Sequence, residues 1–249
     1  MDYAGQCIRL IALPGFVHKS EVSRVDSLLE IFQHSHGFKP YRVNYSTITR
    51  DENQIICHFN LNRYISDLDA IVRNQEFESP TAVFASSMGA SIVGHYIAQH
   101  PYDHGITAYA TVSPLPSWEQ YANERIRERI TQDKRNVPLT GKYDIQKGFT
   151  RYIPAEDIHE VQKANALAAL AASPPTQKLK VLTFIGTQDE VTSLEKMRAY
   201  HAALGGTSEN IKEYACGHGI PQESYQDALI AFFTENILRQ KLVRSCVEA

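Results

Sequence analysis

The 249-residue chain has little cysteine, and its cysteines form no recognisable framework. Cys7, Cys57, Cys216 and Cys246 lie far apart and lack the spacing of paired metal ligands. We therefore expect neither a disulfide scaffold nor a zinc site. Reduced thiols are the ordinary state in a cytoplasm, which is the location we predict.

Long apolar runs and clusters of positive charge are also missing. No apolar stretch approaches the ~20 residues that a membrane helix needs, and the first residues do not resemble a secretory signal. The formal net charge is −3, and lysine and arginine are dispersed along the chain. We expect no membrane and no nucleic-acid partner, and leave a homodimer open.

What the chain does contain is an alternation of short apolar runs with segments of helical periodicity. Strands are predicted over residues 7–13, 41–45, 81–85, 107–112, 181–185 and 211–215. Helices are predicted over 20–36, 61–72, 89–99, 193–204 and 222–242. This alternation predicts an α/β fold, with about six mostly parallel strands and helices on both faces of the sheet.

A long insertion, residues 113–180, separates the fourth predicted strand from the fifth. Residues 118–133 have the pattern of a charged amphipathic helix, 137–152 resemble a loop, and 154–172 again favour a helix. A lid would sit at this position, at the carboxyl ends of parallel strands. We therefore predict a core of residues 1–114 and 174–249 and a helical lid of residues 115–173, with a purely structural excursion as the alternative.

The third predicted strand runs into a serine with small residues around it. Ser87 lies between Ala85 and Gly89, at a strand-to-helix turn. A nucleophile in so sharp a turn needs small residues two positions away on each side, because strand and helix pass closely there. Ser86 would have a phenylalanine and a methionine at those positions, which are too bulky. A serine-rich turn without chemistry is the alternative.

A serine hydroxyl needs a base, and the base needs an acid that orients it. Asp189 follows the fifth predicted strand, and Glu190 is the second choice for the acid. His218 follows the sixth strand, with a glycine on each side that would keep the loop slim. Ser, Asp, His is a chain order in which such triads occur. Taken alone, Asp189 would more often be a helix cap or a solvated loop residue.

Two backbone amides are candidate donors to a developing oxyanion. The Met88 N–H opens the helix after Ser87, where helix N-termini favour negative charge. The Phe16 N–H lies in the turn after the first strand, and Gly15 lets the backbone turn toward a substrate there. As an isolated feature, a proline–glycine pair is simply a turn signal.

The remaining histidines give no comparable pattern. The chain has ten histidines, and four of them have only a loose metal-like spacing: His34, His36, His100 and His104. We expect neither a metal nor another cofactor.

Together the motifs around Gly15, Ser87, Asp189 and His218 resemble the α/β-hydrolase superfamily, in its serine-hydrolase branch. The resemblance extends over nearly the whole chain. In size and lid position the chain is similar to small cinnamoyl/feruloyl esterases and to monoacylglycerol-lipase or serine-aminopeptidase-like hydrolases. It departs from the family in two ways: proline replaces the usual histidine of the oxyanion loop, and Ala85 replaces a glycine. We also expect no N-terminal β-hairpin before the first strand.

The resemblance implies a serine hydrolase that cleaves a small-molecule carboxylic ester through an acyl-enzyme. Ser87 would attack, His218 would accept its proton and Asp189 would orient the imidazole. A serine at position 87 argues against dehalogenase and epoxide-hydrolase chemistry, which use aspartate there. The alternatives are a thioesterase, acyltransferase or amidase on the same triad, a lyase, and a binding protein without catalysis.

The insertion should supply the walls of the substrate pocket. Leu115, Trp118, Tyr121 and the aromatic residues of 143–152 are the candidates, together with Gly15 in the oxyanion loop. Such walls would suit a short or medium acyl ester or an aryl ester. Packing of these aromatics against the underside of the lid itself is the alternative.

Overall fold

The structure is a computed structural model, and it describes eleven segments of the chain: residues 8–15, 19–34, 38–43, 48–51, 54–57, 59–74, 80–118, 136–138, 150–154, 157–174 and 179–238. Their strands, in chain order, are β1 (Ile8–Leu13), β2 (Phe38–Arg42), β3 (Ile48–Asp51), β4 (Gln54–Cys57), β5 (Thr81–Ser86), β6 (Ala108–Val112), β7 (Asn136–Pro138), β8 (Thr150–Pro154), β9 (Lys180–Gly186) and β10 (Ile211–Tyr214). Their α-helices are α1 (Lys19–His34), α2 (Leu61–Val72), α3 (Met88–Gln99), α4 (Ile158–Lys163), α5 (Ala166–Ala172), α6 (Leu194–Ala203) and α7 (Gln222–Phe233), which a π-helical turn continues to Leu238.

Six strands form one parallel sheet in the order β10-β9-β6-β5-β1-β2. The inner strands β1 and β5 are buried at every position, as expected for parallel strands covered on both faces. Side chains of β1 alternate between two apolar clusters: Ile11 and Leu13 pack toward α2 and α3, whereas Leu10 and Ala12 pack toward α1 and α7. The predicted fold class is therefore confirmed. The second strand lies at Phe38–Arg42, somewhat earlier than predicted.

A second, four-stranded sheet in the order β3-β4-β8-β7 was not predicted. The prediction of a loop over 137–152 was wrong at both ends, because β7 and β8 pair with each other there. The single helix predicted over 154–172 was also wrong. Pro154 still belongs to β8, and a break at Ala164 separates α4 from α5, where the Asn165 side chain accepts the Ala168 N–H at 3.0 Å.

Two other predicted helices lie only partly within the described residues. Most of the amphipathic helix predicted over 118–133 lies outside the described residues, as do residues 239–242 of the last predicted helix. Among the helices that the structure does describe, none is long and apolar enough to cross a bilayer.

Arg9 is a buried arginine that joins the sheet to α2. Its guanidinium donates to the carbonyl oxygens of Ile71 and Val72, both at 2.7 Å, and of Asn74 at 3.0 Å. Ile71 and Val72 lie in the last turn of α2, whose carbonyls have no amide partner within the helix, and Asn74 follows two residues beyond it. The charged side chain therefore caps the carboxyl end of α2 from inside the core.

Replacing Arg9 by methionine is expected to lower the free energy of unfolding by about 3 kcal/mol, because buried carbonyls lose a charged donor. Urea denaturation measures the loss. The matched control is Arg63→Met, whose exposed guanidinium pairs with Asp67 at 3.1 Å. An exposed pair of this kind contributes about 0–1 kcal/mol. Equal losses in the two variants would contradict the role of Arg9.

His95 lies buried on α3, and burial lowers its pKa from 6.5 to about 4. In the unfolded chain the same imidazole would titrate near 6.5. The neutral ring therefore stabilises the fold fully above about pH 6.5, and this contribution is lost as the pH falls toward 4.

We expect the unfolding free energy to fall between pH 7 and pH 4 by on the order of 3 kcal/mol more in the native chain than in His95→Leu. His201 does not confuse this comparison, since burial lowers its pKa in both proteins. Urea denaturation across this pH range provides the measurement. Parallel pH curves for the two proteins would show that His95 is not the group concerned.

Candidate active site

Ser87, Asp189 and His218 lie together at the carboxyl edge of the main sheet. Ser87 follows β5, Asp189 follows β9 and His218 follows β10, and these strands are close neighbours in the sheet. The Nε2 atom of His218 is 2.9 Å from the Ser87 Oγ, although the two residues are 131 positions apart. The Nδ1 atom of His218 is 2.7 Å from the Asp189 Oδ2. The parallel topology thus brings the three predicted side chains into one hydrogen-bonded chain.

Ser87 occupies a strained backbone conformation, with φ at 47° and ψ at −112°. A residue other than glycine pays to adopt a positive φ, and it does so only where the surroundings hold it there. Backbone bonds supply that restraint: the Ser87 N–H donates to Val112 at 3.1 Å, and the Ser87 carbonyl accepts from Ala90 and Leu115, both at 3.1 Å. The serine is therefore raised on a sharp turn between β5 and α3.

Gly89 shows why the turn needs small residues. A Cβ atom at this position would lie 2.7 Å from the Leu13 carbonyl oxygen and 3.0 Å from that of Pro14. The first distance is too short for a Cβ atom, and the second is tighter than most Cβ contacts. The end of β1 therefore passes directly against the first turn of α3, as the spacing around Ser87 predicts.

The Asp189 carboxylate is buried and fully engaged. Its side chain is 1% exposed, its Oδ1 accepts the N–H groups of Val191 at 2.7 Å and Thr192 at 3.0 Å, and its Oδ2 faces His218. An ionised carboxylate can only accept, so Nδ1 of His218 carries the proton. Nε2 of the neutral ring is then left as an acceptor for the Ser87 hydroxyl. Asp189, and not its neighbour Glu190, occupies the position of the orienting acid.

Gly186, at the end of β9, packs closely against the loop that contains His218. A Cβ atom there would lie 2.3 Å from the Gly217 carbonyl oxygen and 2.6 Å from that of Cys216. By contrast, a Cβ at Gly219 would meet nothing within 4 Å in the described structure. In the described structure a contact that excludes a side chain therefore falls at Gly186, and Gly219 has none.

Of the two candidate oxyanion donors, Met88 is among the described residues and Phe16 is not. Met88 is the first residue of α3, so its N–H belongs to the first turn, whose amides have no acceptor within the helix. Phe16 lies outside the described residues. Gly15 is buried, and the preceding Pro14 carbonyl lies beside Gly89, so the loop after β1 starts next to the Ser87 turn.

The predicted pocket residues that the structure describes are buried. Leu115 is 5% exposed, and its N–H bonds the Ser87 carbonyl. Trp118 is 1% exposed, and its ring centroid lies 5.4 Å from that of Phe59. Its backbone N–H donates to Ala164, just beyond α4. Tyr121 lies outside the described residues, as does residue 143, and Tyr152 forms part of β8.

The histidines with metal-like spacing have individual protein partners. His34 bonds the Glu30 carbonyl through Nδ1, His100 bonds Arg73, and His104 accepts from the Ile106 N–H. His36 is not part of the described structure. Where the chain is described, no group of three or more His, Cys, Asp or Glu side chains has a metal-binding arrangement.

Sequence reasoning gave no role to Ser113, the first residue after β6. Ser113 has a φ of 45°, and its hydroxyl donates to the carbonyl oxygen of His218 at 2.6 Å. The only signal in the sequence is a serine–proline pair at the end of a strand, which by itself indicates a strand end and nothing more.

Comparison with known proteins shows the fold and little sequence similarity. No protein-family model matches the chain, and no curated protein matches it either. Est1E from Butyrivibrio proteoclasticus superimposes with a TM-score of 0.65 at 17% identity, covering 93% of this chain and 88% of that one. A monoacylglycerol lipase from Paleococcus ferrophilus gives 0.64 at 18% identity, with 93% and 96% covered. Mouse alpha/beta hydrolase domain-containing protein 10 gives 0.63 at 18%, with 94% and 90% covered. The chain therefore has the α/β-hydrolase fold, as predicted.

Proposed function

We propose that the protein is a serine hydrolase that cleaves carboxylic esters. The observation that supports this most is the hydrogen-bonded chain from Asp189 through His218 to Ser87. In this chain the buried Asp189 carboxylate orients the imidazole of His218, and the other ring nitrogen, Nε2, faces the Ser87 hydroxyl on its strained turn. This is the arrangement that general-base activation of a serine requires.

In the proposed reaction, Ser87 Oγ attacks the ester carbonyl while Nε2 of His218 takes the hydroxyl proton. The imidazolium that forms is stabilised by Asp189, and then gives the proton to the departing alkoxide, which leaves as an alcohol. Water repeats the sequence on the acyl-enzyme and releases the acid. The amides of Met88 and Phe16 are the proposed oxyanion donors, each contributing about 3 kcal/mol to the transition state.

An uncharged acyl or aryl ester is the proposed substrate class. Met88 directly follows Ser87, Leu115 donates its N–H to the Ser87 carbonyl, and both belong with Trp118 to one buried apolar cluster. One of the similar structures is named a monoacylglycerol lipase, and Est1E is also known with ferulic acid bound. Both names are compatible with an ester carbonyl at Ser87, and they differ in the acyl group.

We also propose that residues 115–173 form a cap over the site. Its second half packs against α3, since a Cβ at Gly94 would lie 2.8 Å from the Ala166 Cβ. It also contacts the residues just before α2, where the Asp157 carboxylate accepts the Phe59 N–H at 3.2 Å. The attachment supports a cap whose return segment is fixed to the helix that begins next to Ser87.

A panel of p-nitrophenyl esters from acetate to octanoate, together with methyl ferulate, tests the proposed function. We expect turnover of at least one ester class, and stoichiometric labelling of Ser87 by a fluorophosphonate, located by peptide mass. A matched thioester and anilide are included, and preference for either would replace ester hydrolysis. No turnover together with no labelling would favour a binding protein.

A further inference from the structure

Segment 112–115, which begins with the last residue of β6, contacts both the Ser87 turn and the His218 loop. The Val112 carbonyl accepts the Ser87 N–H at 3.1 Å, and the Leu115 N–H donates to the Ser87 carbonyl at 3.1 Å. Between them, the Ser113 hydroxyl donates to the His218 carbonyl at 2.6 Å. Segment 112–115 therefore bonds the backbones of two residues that must keep a fixed distance.

Ser113 is held in a costly conformation to make this bond. Its φ of 45° is in the left-handed region, which it shares, among the non-glycine residues that the structure describes, with Ser87 alone. The residue is 2% exposed, and its N–H donates to the Phe184 carbonyl at 2.8 Å. Strain of this kind persists where the surroundings enforce it, and it concentrates at functional sites.

The backbone of His218 lies in a loop, where an additional hydrogen bond can restrain its position. The residue lies in a loop between two glycines, beyond the last strand of the sheet, and its side chain is 23% exposed. The bond from Nε2 to Ser87 breaks and reforms in each proposed turnover, whereas the bond from Ser113 to the backbone involves no reacting atom. An anchor on the carbonyl can therefore keep the imidazole in place through the steps in which its own hydrogen bonds change.

We propose that Ser113 is a positioning residue that holds the His218 backbone so that Nε2 stays within reach of Ser87. This inference rests on the proposed serine-hydrolase function. Ser113 itself touches no reacting atom. Its effect is geometric: a displacement of about 1 Å in a reacting group lowers rates by up to about 100-fold.

Two substitutions separate the hydroxyl from the backbone conformation. Ser113→Ala removes the hydroxyl and keeps the strain of a Cβ at positive φ, whereas Ser113→Gly removes both. We expect both variants to lose about 10- to 100-fold in kcat with little change in KM, and to lose the same factor in fluorophosphonate labelling rate per titrated active site. The glycine variant should have the higher melting temperature of the two.

Tyr96→Phe is the matched control, because that hydroxyl also donates to a buried backbone carbonyl, of His104 at 3.1 Å, near the carboxyl end of α3. It should keep the native kcat. Activity that follows melting temperature, with the glycine variant more active than the alanine variant, would overturn the proposal in favour of a purely structural role. A native kcat in both Ser113 variants would overturn it as well.

A readout independent of turnover separates this proposal from the proposed function. The proton on His218 Nδ1, bonded to Asp189, should give a downfield NMR resonance that is lost in His218→Ala. We expect this resonance to persist in Tyr96→Phe and to broaden or disappear in both Ser113 variants. If the native protein neither turns over esters nor labels, the proposed function fails, and an unchanged resonance in the Ser113 variants would then overturn the positioning role separately.

Discussion

Ser87→Ala is expected to lower kcat for ester hydrolysis by at least about 10⁴-fold, because it removes the hydroxyl that would form the proposed acyl-enzyme. The residual rate would come from binding and from the oxyanion donors. Fluorophosphonate labelling should be lost completely. The fold should be preserved, since Ser87 is held by its backbone bonds to Val112, Ala90 and Leu115, which alanine retains. Initial rates, intact mass and a melting curve measure the three effects.

Ser86→Ala is the control for this substitution. The two serines are adjacent and lose the same atom, but only Ser87 Oγ lies 2.9 Å from the imidazole Nε2. The Ser86 side chain is buried at the end of β5, so its replacement should affect stability more than the rate per active site. Retained turnover in Ser87→Ala, or loss of labelling in Ser86→Ala alone, would show that the nucleophile is misassigned.

The site was predictable from sequence to the extent that it is assembled from strand ends. Ser87, Asp189 and His218 each follow a local apolar run, and parallel strands place their carboxyl ends at one edge. Because of this topology, locating the three loops in the sequence was enough to predict that their side chains are neighbours. The steric pattern around Ser87 was readable for the same local reason, since Gly89 has to pass the end of β1.

The second sheet could not be predicted in this way. Strands β3 and β4 have four residues each, and β4 pairs with β8, which lies almost a hundred residues later in the chain. Short strands carry too few alternations to give a periodic signal, and their partner is decided by tertiary contacts. Pro154 was likewise taken as the start of a helix, although the structure uses it to end β8.

The contacts that hold the site residues in place could not be predicted from the sequence either. Gly186 matters because two carbonyl oxygens of the His218 loop lie over it, and Ser113 matters because its hydroxyl reaches the His218 backbone 105 positions away. Neither contact has a local sequence pattern. The sequence therefore indicates which side chains meet, and the structure adds what holds them at the right distance.

Asp189 offers a sharper test of the proposed mechanism than removal of the nucleophile, because its two oxygens have different tasks. Oδ1 accepts the N–H groups of Val191 and Thr192 and so holds the loop, whereas Oδ2 faces His218. In Asp189→Asn, the amide oxygen can replace Oδ1, which leaves the NH₂ group toward Nδ1. Two donors cannot bond each other, so Nδ1 would lose its proton and Nε2 would carry it.

The ring of Asp189→Asn would then donate to Ser87 instead of accepting from it, and kcat should fall by about 10⁴-fold. Stability should change by less than about 1 kcal/mol, since the loop keeps its acceptor. Rates and urea denaturation measure the two effects, and Glu190→Gln is the matched control because Glu190 is adjacent and exposed. If Asp189→Asn retains a tenth or more of the native kcat, or if Glu190→Gln is the variant that loses it, Asp189 does not set the tautomer of His218. A fall in kcat without a fall in the free energy of unfolding would show that Asp189 acts by keeping the proton off Nε2, the ring nitrogen that faces Ser87.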